Sequence, residues 1–219
     1  MYFSNRKYKH SLLNKKIKIN SGSFPFLGEK RACFCINQHL CGMNPKTKNE
    51  ELGRVSAEAF KKLKKPGLVV LLDNVRSLHN VGSVFRTCDA FLVETLYLCG
   101  YTGTPPNKEI NKTALGATES VNWKHENDIK SLILTLKSQN FAVFAVEQAE
   151  KAVFLENFEV AKGQKYALIF GNEVSGVDQD VVNMCDGCIE ISQGGTKHSL
   201  NIAVSAGVVL WEFYKRLKD

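Results

Sequence analysis

The chain has 219 residues, 44% of them hydrophobic and 23% charged, which suits one domain, with or without an appendage, built on a real core. No apolar run is long enough to span a membrane, and the basic N-terminus lacks the apolar stretch of a secretory leader. The formal charge of +7 is concentrated in residues 1–42, where eight Lys and Arg face Glu29 alone; the rest is balanced, so overall basicity does not make the folded part a nucleic-acid binder.

Residues 1–42 mix Lys/Asn-rich stretches with scattered aromatics and show no sustained period. They are expected to be an irregular extension outside the fold, with Met43 as a natural start; the rival reading is a basic RNA-binding arm. Residues 43–65 form a short N-terminal segment, with a helix expected from about Ser56 to Lys65 and Ser56 as its cap. From residue 66 to 219, short apolar runs alternate with helical patterns. Strands are expected at Leu68–Asp73, Thr95–Cys99, Phe141–Val146, Tyr166–Phe170 and Cys188–Ile191. Helices are expected at Asn80–Phe91, Asp128–Ser138, Asp178–Met184 and Ser199–Leu217. Strands separated by helices predict an α/β fold, a parallel sheet with helices on both faces.

The seven cysteines are Cys33, Cys35, Cys41, Cys88, Cys99, Cys185 and Cys188. An odd number without a leader favours a reducing, cytoplasmic setting. Cys185 and Cys188 form a C-x-x-C pair, but a zinc site needs a second pair, and the nearest candidates (Cys33, Cys35, His39, Cys41) lie in the irregular N-terminus. No metal is expected.

Ligands in open parallel sheets sit beyond the C-terminal strand ends, so the strand-to-helix junctions are the places to look. Three stand out. In Asp73–Thr87 a strand runs through a polar loop into a helix that Asn80 can cap; Gly82 permits a close approach to its first turn, and Arg86 adds a cation suited to phosphate. In Leu168–Val177 an apolar strand runs directly into Gly171-Asn172-Glu173, with Gly176 allowing a tight turn. In Ile189–Asn201 a strand leads through a double-glycine loop to Ser199 and Asn201, followed by the small residues Ala203, Ser205, Ala206 and Gly207. The common alternatives are missing: no G-x-G-x-x-G after the first strand, no P-loop, no G-x-S-x-G elbow and no H-E-x-x-H.

In order, these segments resemble the three motifs of the SpoU (TrmH-like) RNA ribose methyltransferases of the SPOUT superfamily. They read N-x-G-x-x-x-R at Asn80, Gly82 and Arg86, F-G-N-E-x-x-G at Phe170–Gly176, and S-L-N at Ser199–Asn201. The resemblance covers about residues 66–217 and implies a C-terminal trefoil knot, which nothing in the hydrophobic pattern reveals. It implies S-adenosyl-L-methionine as cofactor, held at Gly171, Ile191 and Leu200, with Val146, Glu147 and Gln148 lining the pocket and Gln193 beside it. The family usually has Ile-Pro-Met where this chain has Ile191-Ser192-Gln193.

The same resemblance gives Arg86, Asn80, Glu173, Ser199 and Asn201 the catalytic roles. RNA contacts are expected from Arg86, Lys197 and His198. The implied activity is methyl transfer to a ribose 2'-hydroxyl of tRNA or rRNA, by a homodimer with its site near the subunit interface. The alternatives are a base-modifying SPOUT enzyme and a non-catalytic RNA-binding or assembly protein with the same fold.

Overall fold

The structure, a computed structural model, describes residues 55–218 together with Lys48 and Gly53. The expectations for residues 1–42, the Met43 start and the N-terminal cysteines lie outside the described residues. The elements run α1 (Ala57–Lys62), β1 (Leu68–Asp73), α2 (Leu78–Ala90), β2 (Thr95–Cys99), α3 (Lys108–Ala114) and α4 (Ala117–Ser120). They continue with β3 (Trp123–Glu126), α5 (Ile129–Ser138), β4 (Phe141–Val146), β5 (Val153–Phe154), β6 (Lys165–Phe170), α6 (Gln179–Met184), β7 (Gly187–Glu190) and α7 (Ile202–Leu217).

The seven strands form one sheet in the order β3-β2-β1-β6-β4-β7-β5, and every pairing is parallel. Strand β1 shows why the sheet is covered on both sides. All six of its residues are buried, as expected of a central parallel strand. Leu68, Val70 and Leu72 point into a core completed by Val81, Val84 and Phe85 of α2 and Val209, Leu210 and Phe213 of α7. Val69 and Leu71 point the other way, toward Leu132, Ile133 and Leu136 of α5 and Val181 of α6. Period-two side chains on β1 thus divide between two helix layers.

Several boundaries differ from expectation, each for a local reason. Helix α1 ends at Lys62 and does not reach Lys65, because Leu63 turns extended ahead of Pro66, which disfavours helix at the residue before it. Helix α2 starts at Leu78; Ser77, not Asn80, is its cap, its hydroxyl accepting from Asn80 N at 3.3 Å. That leaves the Asn80 side chain available for other contacts. Helix α7 starts at Ile202, not Ser199, because Asn201 caps it by accepting from Ala203 N at 2.9 Å. Ser199 and Leu200 therefore belong to the loop. Helices α3 and α4 and strands β3 and β5 were not expected. They are short, and β3 reads Trp-Lys-His-Glu, an edge strand without an apolar run.

Sheet order positions the site. The chain winds from β1 outward to β2 and β3, then crosses to β4, while β6 returns between β1 and β4. This is a topological switch point, where the loops leaving adjacent strands diverge and leave a crevice.

Candidate active site

At the C-terminal edge of the switch point, a cleft of about 420 Å3 lies between the loops after β4, β6 and β7 and the start of α7. Gly171, Ile191, Leu200, Val146, Glu147, Gln148 and Gln193 all line it, as do Glu173, Ser199 and Asn201. Asn80, Arg86, Lys197 and His198 do not.

The cleft owes its shape to a tight turn after β6. Asn172 and Gly176 exchange two backbone hydrogen bonds, Asn172 N to Gly176 O at 3.0 Å and Gly176 N to Asn172 O at 2.9 Å. A Cβ on Gly171 would stand 2.2 Å from the Gly176 carbonyl carbon, so only glycine lets the strand exit pass the turn. Gly176 has φ +69, and a Cβ there would meet Glu147 Oε2 at 2.2 Å. That Glu147 carboxylate accepts from Val177 N at 2.9 Å through Oε2 and from Gln148 N at 2.9 Å through Oε1, tying the β4 exit to the β6 turn.

Asn172 is a hub that the sequence reading did not single out. It is buried, and its amide donates to the Asn74 carbonyl at 2.8 Å and to the Tyr101 hydroxyl at 2.9 Å. Its Oδ1 accepts from Val174 N at 2.8 Å and Ser175 N at 3.2 Å. One side chain thus links the ends of β1, β2 and β6. Its place between Gly171 and Glu173, and the habit of asparagine to bond the backbone two residues on, were the available clues.

Glu173 joins this turn to α2. Its Oε2 accepts from Arg76 N at 3.0 Å, and its Oε1 from Ser77 N at 2.9 Å and Asn80 Nδ2 at 3.0 Å. Partial loss of water raises the carboxyl, but these donors outweigh it and hold Glu173 below the ordinary carboxylate range. Asn80 Oδ1 in turn accepts from Asn201 Nδ2 at 3.1 Å. Glu173, Asn80 and Asn201, drawn from three distant segments, therefore form one chain of hydrogen bonds. Ser199 lies in the cleft wall beside them.

Arg86 stands apart. It is exposed, two helical turns along α2, roughly 9 Å from Asn80 by helical rise. It lines a second depression of about 590 Å3, together with Ser83, Thr87, Lys112, Thr113 and Gly207 among others. Neither Asn80 nor Asn201 bonds it among the described residues. Lys197 and His198 are exposed on the loop after β7, where the His198 carbonyl accepts from Gln148 Nε2 at 2.7 Å.

The two depressions differ in charge. The cleft wall carries Glu147, Glu173 and Glu190 and no Lys or Arg; the α2 groove carries Arg86 and Lys112 and no Asp or Glu. Among the described residues no group of His, Cys, Asp and Glu is placed to hold a metal ion. Cys185, beside the Cys188 thiol, is pushed up to about 12 by burial, which keeps it a protonated thiol.

Residues 67–211 match the SpoU rRNA Methylase family. The tRNA (guanosine(18)-2'-O)-methyltransferase of Thermus thermophilus is 33% identical over 169 residues, covering 77% of this chain and 85% of that one. An Aquifex aeolicus TrmH/SpoU tRNA modifying enzyme superposes with a TM-score of 0.64 at 28% identity, covering 73% of this chain and 80% of that one. The AdoMet-bound rRNA methyltransferase of Sinorhizobium meliloti superposes with a TM-score of 0.66 at 25% identity, covering 73% of this chain; this chain spans 61% of that one. A match over this much of the chain, in the segment that builds both depressions, places the protein in the SpoU rRNA methylase family.

Proposed function

We propose that this RNA methyltransferase moves a methyl group from S-adenosyl-L-methionine to a ribose 2'-hydroxyl of a structured RNA, with tRNA ahead of rRNA. The observation that carries the reading is the division of charge: an acidic cleft for a cationic donor beside a basic groove for a polyanion. The cleft residues fit the donor. Val146, Phe170, Ile189, Ile191, Leu200 and Ile202 offer apolar walls for an adenosyl group, and the three carboxylates suit a sulfonium and an ammonium. The loop after β7, with Gly194 and Gly195 open to solvent, closes one side, and we infer that it belongs to the knotted path expected of the family.

S-adenosylmethionine supplies a methyl group already activated for displacement, so the protein's task is to align the ribose oxygen and deal with its proton. Arg86, a rigid fork of N–H donors with no acceptor, is suited to stabilise the alkoxide developing on the 2'-oxygen and an adjacent phosphate. Asn201 donates to Asn80 and Asn80 donates to Glu173, a relay that holds the mouth of the cleft in one arrangement. Lys197 and His198 extend the RNA contact along the loop after β7.

Arg86 and the cleft of the same chain open separately, and a homodimer resolves this. Helix α7 borders the cleft through Ile202 and Ser205 and the groove through Gly207. Val204, Val208 and Trp211 form an exposed apolar stripe along it, 52%, 40% and 47% accessible, at helical spacing. A twofold contact on this stripe sets one protomer's cleft against its partner's groove. The unbridged thiols Cys88, Cys99, Cys185 and Cys188 suit the cytoplasm.

The test is transfer of labelled methyl from S-adenosylmethionine to unmodified tRNA transcripts and to rRNA, followed by mapping of the modified nucleotide. The Thermus relative's name makes guanosine 18 of tRNA the first position to examine. Label on a ribose supports the reading; label on a base, or none despite bound donor, overturns it.

A further inference from the structure

The α2 groove holds a cation that none of the three motifs contains. Lys112, on α3, lines the same depression as Arg86 on α2. Its place there is built in rather than incidental. Gly82 of α2 lies so close to α3 that a Cβ would stand 2.2 Å from both the Ile110 carbonyl oxygen and Thr113 Oγ1. The Thr113 hydroxyl donates to the His79 carbonyl at 2.9 Å, a second tie between the helices. Lys112, next to Thr113, is thereby held on the groove wall across from α2.

Little else in the groove can hold an anion. The three hydroxyls of its wall already donate to helix carbonyls: Ser83 to His79 at 2.8 Å, Thr87 to Ser83 at 3.0 Å, and Thr113 to His79. The remaining donors are the Arg86 guanidinium and the Lys112 ammonium. Lys112 is paired with Glu109, Nζ to Oε1 at 2.7 Å, but both side chains are well exposed, and Glu109 lies outside the groove lining and is shared with His79 at 2.9 Å. An exposed pair of this kind gives way readily to a better-placed anion.

We propose that Lys112 is a substrate-positioning residue that, with Arg86, seats an RNA backbone phosphate in the groove between α2 and α3. This rests on the RNA-methyltransferase reading and extends it to a residue outside the family motifs. Phosphate contacts fix register without reading sequence, so Lys112 sets how the ribose is presented, while Arg86 attends to the reacting oxygen. Glu109 acts as a built-in competitor for the ammonium.

The experiment measures binding of an unmodified tRNA transcript to the full chain across a salt series, without methyl donor, and then steady-state methyl transfer. Lys112→Gln is expected to flatten the log affinity against log salt slope by roughly 0.7 to 0.9, the loss of one phosphate contact. It is expected to raise KM for tRNA about five- to tenfold with kcat nearly unchanged, while Lys112→Arg restores both and Glu109→Gln tightens binding. An unchanged salt slope in Lys112→Gln, or a fall in kcat without a rise in KM, overturns the proposal. A chain that binds tRNA but methylates nothing defeats the enzyme reading instead and leaves the binding test intact.

Discussion

Glu173 and Asn80, 93 residues apart, are joined by a 3.0 Å hydrogen bond from the asparagine amide to the carboxylate. The same carboxylate takes the backbone N–H groups of Arg76 and Ser77, so it stands in for the missing acceptors at the start of α2. Glu173→Ala leaves three donors to water and should cost about 1.5 kcal/mol, at the low end for charged hydrogen bonds because the site is exposed. Urea denaturation measures it. The folded carboxyl sits below its unfolded value, so its contribution is present above the ordinary carboxylate range and lost as pH falls through the folded value. The stability gap between wild type and Glu173→Gln should therefore close in acid.

Gly171→Ala tests the turn itself. The new Cβ meets backbone, not a movable side chain, at 2.2 Å. A loss of about 1–3 kcal/mol is expected, with calorimetric binding of S-adenosylmethionine abolished. A variant with normal donor affinity would show that the turn does not shape the cleft.

Arg86→Ala should separate donor binding from chemistry. Arg86 does not line the cleft, so donor affinity should hold. Methyl transfer should fall roughly 100- to 1,000-fold, the usual cost of one charge-stabilising donor. Retained transfer in a folded variant would remove Arg86 from the mechanism.

Val208→Glu places a charge in the middle of the exposed α7 stripe. Sedimentation should find the wild type dimeric and this variant monomeric, with donor binding weakened less than methyl transfer. A monomeric wild type would sink the dimer.

Asp73 is 3% exposed at the end of β1, and burial, with nearby Asp178, pushes its carboxyl up. A raised carboxyl opposes folding once it ionises, so the cost is absent below the unfolded value and complete above the folded one. Asp73→Asn should raise the melting temperature at neutral pH, and the gain should vanish near pH 3. Equal gains at both pH values would assign the effect to packing.

The central strands were readable because two-sided burial leaves continuous apolar runs, as in Leu68–Asp73 and Phe141–Val146. The convergence of Asn80, Glu173 and Asn201 was accessible only through motif order. Their contact depends on β6 inserting between β1 and β4, a long-range pairing that no local pattern encodes. Ser77 and Asn80 show a finer limit. Both are good caps three residues apart, and tertiary contacts to Glu173 and Asn201 take the second away from that task. Helix α3 was missed because its seven residues follow a Pro-Pro pair and carry little apolar period.

The contact at Gly82 divides the groove into a fixed part and a variable part. The distance between the helices is set by the lack of a single carbon atom, and any side chain there must force the two backbones apart. The outward residues of α3 face no such restriction, and Leu115 just beyond it is 67% exposed. Preference among RNAs can therefore be altered by exchanging α3 surface residues while Arg86 stays where it is. An effort to retarget this protein should randomise positions 108 and 115 and leave positions 82 and 112 untouched.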